Sequence, residues 1–177
     1  MKKENNLKKI LVIGCCGAGK STFSKKLQSI LKLGLIHLDQ YYHKPNWEEP
    51  KKSEWDKIVH TLVQKPSWIM DGTYNRTMDV RIKSADTIIY LDYPTLKCFW
   101  RVIIRIFKYH GVVRSEMANG CKEKFDLEFL HFVLTFNNKF RKEIIQKLNL
   151  VKDEKKILVF RTDKQADKFL AQISEVK

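Results

Sequence analysis

Residues 14–22 read Gly-Cys-Cys-Gly-Ala-Gly-Lys-Ser-Thr, directly after the apolar run Ile10-Leu11-Val12-Ile13 and directly before Phe23-Ser24-Lys25-Lys26-Leu27. Glycines at 14, 17 and 19 suit neither a helix nor a strand, since glycine has the most conformational freedom to lose on folding. Gly14, Gly19, Lys20 and Ser21 stand at the spacing G-x-x-x-x-G-K-[ST], between a predicted strand and a predicted helix. Glycines there let successive backbone N–H groups turn inward, and the following helix points its positive end at the same place. The full match in that context favours a phosphate cradle over a plain glycine-rich turn.

The rest of the chain supplies the context that such a loop needs. Lys8–Gly14, Gly34–Asp39, Pro66–Gly72, Asp86–Pro94 and Lys155–Arg161 are short β-branched or apolar runs that read as strands. Helical patterns fall at 20–33, 53–64, 94–109 and 126–148, with Ser53 and Asp56 at capping-box spacing and Asp126 as a cap for the last. Strands alternating with helices predict an α/β fold with five parallel strands flanked by helices. At 177 residues, 44% of them hydrophobic, the chain is expected to be one globular domain spanning 1–177.

Composition limits the function classes. Arg101 and Arg105 break the longest apolar run, so no membrane span is expected. The apolar stretch behind the basic N-terminus is too short for a secretion signal. The four cysteines (15, 16, 98 and 121) have neither disulfide-framework nor zinc spacing, and a cytoplasmic protein is expected. The net charge of +14 comes mostly from 27 lysines spread along the chain, which implies at most non-specific attraction to nucleic acid.

The loop residues Gly14, Cys15, Cys16, Gly17, Ala18, Gly19, Lys20, Ser21 and Thr22 form the expected ATP site. Lys20 would neutralise β- and γ-phosphate oxygens, and the Ser21 hydroxyl would ligate Mg2+. The cysteines within the loop are given no redox role. A GTPase would carry Asn-Lys-x-Asp, which the chain lacks, and that leaves a small phosphotransferase.

Asp39 ends the second predicted strand, where open α/β sheets place ligand-binding groups, and could take a proton from an acceptor hydroxyl. Tyr42 follows it as a candidate stacking surface. Asp71 ends the third strand and could orient Mg2+ through a water. Arg76 and Arg81 lie just beyond, placed to grip an anionic acceptor. Arg101, Arg105 and Lys108 share one face of a helix, and Arg114 lies past a glycine. Five of the seven arginines fall between 76 and 114, which suggests a basic lid over residues 101–122. Lys20, Asp39 and Arg114 are the expected catalytic residues.

Taken together, residues 14–22, Ile36–Tyr42, Trp68–Pro94 and Cys121–Val133 resemble the DNA topology modulation (FlaR-related) proteins, P-loop proteins akin to adenylate kinases. The resemblance implies a nucleotide-kinase-like core with a helical lid, ATP at residues 14–22, and an acceptor near Asp39, Asp71 and Arg81. The expectation is an ATP- and Mg2+-dependent kinase of the nucleoside or nucleotide type, monomeric or homodimeric. The alternative is an ATP-binding regulator that associates with DNA and lacks kinase activity.

Overall fold

The computed structural model describes residues 7–175. Five parallel strands, β1 (Lys9–Gly14), β2 (Leu35–His37), β3 (Trp68–Asp71), β4 (Thr87–Leu91) and β5 (Lys156–Phe160), form one sheet in the order β2-β3-β1-β4-β5. The central strands β1, β3 and β4 are buried on both faces, which is why they read as unbroken apolar runs. Edge strand β5 is only partly covered. The connection after β1 crosses the sheet one way and every later one crosses it the other way. That reversal opens a crevice at the C-terminal end of β1, where Gly14 begins the glycine-rich loop.

Among the described residues, seven helices surround the sheet: α1 (Lys20–Leu31), α2 (Leu38–Tyr42), α3 (Lys52–Val63), α4 (Met78–Ser84), α5 (Thr95–Tyr109), α6 (Leu127–Leu150) and α7 (Asp163–Glu175). The sequence reading missed α2, α4 and α7. It also carried the second strand two residues too far, because β2 stops at His37 and Asp39 lies in the first turn of α2. Asp126 caps α6 as expected, accepting from the Phe129 N–H at 3.0 Å. The Ser53/Asp56 box does not form: α3 begins at Lys52 without a side-chain cap, and Asp56 is drawn instead to Arg76.

Helix α5 has three distinct sides. Cys98, Val102 and Ile106 enter the core, while Leu96, Trp100, Ile104 and Phe107 are exposed. Lys97, Arg101 and Arg105 make up the third side, and all three form ion pairs. The expected lid at 101–122 therefore divides. Its first part is helix packed into the core, and its remainder belongs to an irregular segment, 110–126, between α5 and α6. That segment folds back on itself through Val113 and Lys122 and is tied to the body. Gln40 Nε2 donates to Ser115 O at 2.7 Å, and Trp47 Nε1 donates to Lys122 O at 3.0 Å.

Candidate active site

The glycines of the loop have φ 148°, 81° and 87° at positions 14, 17 and 19. A Cβ at Gly17 would meet Cys98 O of α5 at 2.2 Å, so the loop and α5 touch backbone to backbone. A Cβ at Gly19 would meet only Arg101 Nη1, at 3.9 Å, and would stand in open space above the loop. Thr73 braces the start of the loop, its hydroxyl accepting from Gly14 N–H at 3.1 Å and donating to Gly14 O at 2.6 Å. Lys20 Nζ donates to Gly14 O and Cys15 O at 2.9 and 3.0 Å, which holds the ammonium over the loop with one donor to spare.

Cys15 faces inward against Cys98. The hydrogen bond between the two thiols, and then burial, push the Cys15 pKa well up, so it is an inert part of the wall. Cys16, Gly17, Ala18, Gly19, Lys20, Ser21 and Thr22 line a cavity of about 480 Å³ that continues past Arg101 to Tyr93, Asp163 and Leu170.

A second cavity of about 700 Å³ lies on the other side of Lys20, walled by Tyr42, Trp47 and Tyr74 and by phenylalanines of α6. Cys16, Lys20, Asp39, Gly72, Arg105 and Arg114 line both cavities, so the two meet there. Asp39 is positioned by Tyr74, whose hydroxyl donates to Oδ1 at 2.6 Å. Burial, and then the Asp39 charge, raise the Tyr74 pKa, which keeps that proton on the phenol. Asp39 Oδ2 has no partner among the described residues. The backbone around this cavity is strained: Trp47 has φ 65° and Tyr74 φ 29°, which bulky residues rarely adopt.

The expected site residues have different fates. Lys20, Asp39, Asp71, Arg101, Arg105 and Arg114 all border the first cavity, and Tyr42 borders the second. Asp71 is buried, with His37 Nδ1 at 2.9 and 3.0 Å from its two oxygens, so the strand-end histidine orients it. Arg81 does not reach an acceptor. It is wholly buried, and its guanidinium donates to the carbonyls of Gly72, Thr73, Tyr74 and Thr77. Burial lowers its pKa, but four carbonyl oxygens around the guanidinium keep it protonated. Arg76 is likewise placed elsewhere, forked onto Asp56 at 2.9 and 2.6 Å on an exposed surface.

The arginines near the junction are anchored by carboxylates that the sequence reading did not single out. Arg105 and Arg114 both donate to buried Glu123, and Arg114 also donates to Glu116 at 2.7 Å. Burial pushes the Glu116 pKa up, but the Lys25 hydrogen bond and the Arg114 charge outweigh it and hold the carboxyl at about 2. Arg101 and Lys97 share Asp163, the first residue of α7. A signal for α7 was present: Thr162 and Gln165 form a capping box, with Gln165 N–H donating to Thr162 Oγ1 and Thr162 N–H to Gln165 Oε1. Asp92, at the end of β4, binds Arg141 of α6 through two bonds of 2.7 and 2.8 Å and fixes the wall of the second cavity.

No family model and no curated protein matches the sequence. Solved structures of similar fold include shikimate kinase from Acinetobacter baumannii in complex with shikimate (13% identical, TM-score 0.58, covering 97% of this chain and 93% of that one). Shikimate kinase from Bacteroides thetaiotaomicron is another (16% identical, TM-score 0.51, 94% and 96%). The fold is that of the α/β P-loop kinases.

Proposed function

We propose that the chain is a small-molecule kinase that uses ATP and Mg2+, with the donor in the first cavity and a hydroxyl acceptor in the second. The observation that carries the reading is the meeting of the two cavities at Lys20, Asp39, Arg105 and Arg114. The loop suits a triphosphate because the space over Gly19, which a side chain would fill, is open, and because Lys20 stands beside it. Ser21 and, through a water, Asp71 offer the hard oxygen donors that suit Mg2+. When bound, Mg·ATP would supply the γ-phosphoryl group and charge neutralisation.

Tyr74 points Asp39 at the junction, and Asp39 Oδ2 receives the proton of the acceptor hydroxyl. Lys20 places positive charge where negative charge builds up during transfer, and Arg105 and Arg114, paired with carboxylates, offer their remaining N–H donors beside it. The segment 110–126, tied to α1 and α2, keeps water from the junction. Membership of the DNA topology modulation family belongs to this proposal and rests on the motif runs in the sequence.

Replacing Lys20 by Ala tests the reading. The expected result is a loss of phosphoryl transfer of ~100-fold or more with the circular dichroism spectrum unchanged, because the lost charge acts mainly in the transition state. Unchanged turnover would remove the basis for the assignment.

A further inference from the structure

The charge of the second cavity runs against the charge of the molecule. The chain as a whole has 34 basic and 20 acidic residues. The cavity is bordered by five carboxylates, Asp39, Glu49, Glu123, Asp126 and Glu128, against four cations, Lys20, Arg105, Arg114 and Lys124. One of those cations, Lys20, is committed to the phosphate loop. Arg105 and Arg114 share Glu123, which is 4% exposed and receives three of their N–H groups, and Arg114 is also paired with Glu116. Lys124 lies 3.8 Å from Asp126. His43 also borders the cavity, and burial lowers its pKa, so it adds no cation at neutral pH.

The two arginines that the sequence offered for gripping an anion, Arg76 and Arg81, point into Asp56 and into backbone carbonyls. An anionic acceptor entering this cavity would therefore give up its hydration without meeting an unpaired cation, which is costly. The walls favour something else. Trp47, Tyr74 and Phe129, Phe132 and Phe136 of α6 border it, and the volume of about 700 Å³ holds a ring system with a sugar-sized appendage.

We infer that the acceptor is an uncharged, flat-ringed alcohol of nucleoside character, and that Glu123, with Glu116, enforces this by engaging Arg105 and Arg114 beside the acceptor cavity. The inference rests on the kinase reading above and narrows it. A nucleoside presents a primary hydroxyl to Asp39 and a planar ring to the aromatic walls. Its 5′-monophosphate would bring two negative charges toward Asp39 and Glu123.

The test is calorimetry on the full chain with Mg2+ and a non-hydrolysable ATP analogue, titrating the common nucleosides and their 5′-monophosphates as matched pairs. At least one nucleoside is expected to bind about tenfold or more tightly than its own monophosphate, the scale of one lost charge-assisted contact. In Glu123→Gln, which removes the carboxylate charge paired with Arg105 and leaves Arg114 on Glu116, the preference should move toward the monophosphate by about tenfold. Tighter binding of the monophosphates by the wild-type protein would overturn the inference, as would binding of neither member while the ATP analogue binds. Failure of the ATP analogue itself to bind would instead strike the kinase reading, and this inference with it. The wild-type comparison stands even if Glu123→Gln does not fold.

Discussion

Arg81 illustrates how a single side chain can serve a site without touching its ligand. Its guanidinium gathers the carbonyls of Gly72, Thr73, Tyr74 and Thr77, and so fixes the turn in which Thr73 braces Gly14 and Tyr74 aims Asp39. The strain at Tyr74, φ 29°, is held by those bonds. Arg81→Met would leave buried carbonyls without donors and is expected to cost about 3 kcal/mol or more in urea unfolding. Arg76→Ala, at an exposed ion pair, should leave the unfolding midpoint nearly unchanged. Similar midpoints for the two variants would contradict the role given to Arg81. Nothing in the sequence separated these two arginines. Both follow the Asp71-Gly72 turn, and only the fold decides that one enters the core while the other meets Asp56.

Among the elements, those with strong local signals were legible. The strands carry continuous apolar runs, α1 and α5 carry helical spacing, and the loop carries its glycines, so the sheet and the place of the glycine-rich loop at its crevice followed directly. Helix α2 was hidden because Leu38 continues the apolar run of Leu35 and Ile36 and the helix is only five residues long. The ion pairs that hold the segment 110–126 were also hidden, since Glu116 and Glu123 look like any surface carboxylates until the chain folds back.

Their chemistry makes a pH prediction. Glu116 has a folded pKa near 2 against an ordinary 4.5, so its contribution is fully present above about 4.5 and is lost as pH falls toward 2. Amide exchange across 110–126, corrected for the intrinsic rate, should rise as pH drops through that window, and Glu116→Gln should already be loosened at pH 7. Protection unchanged down to pH 2 would contradict the anchoring role of Glu116.

At the scale of the whole molecule, a sheet whose first connection runs opposite to the others opens one crevice, and the loop after β1 fills it. The helices then divide that crevice. α5 and α7 enclose the first cavity, proposed for the donor, while the 45–47 turn, the segment 110–126 and α6 enclose the second, proposed for the acceptor. Lys20 and Asp39 stand where the halves join, and that junction is the centre of the functional account.

The most direct measurement is ADP release at saturating Mg·ATP across a panel of hydroxyl compounds, for wild type and Asp39→Asn. The account predicts release that depends on an acceptor in the wild type and falls by ~100-fold or more in the variant, with ATP affinity nearly unchanged. ADP release indifferent to every hydroxyl compound, or the same in both proteins, would contradict it.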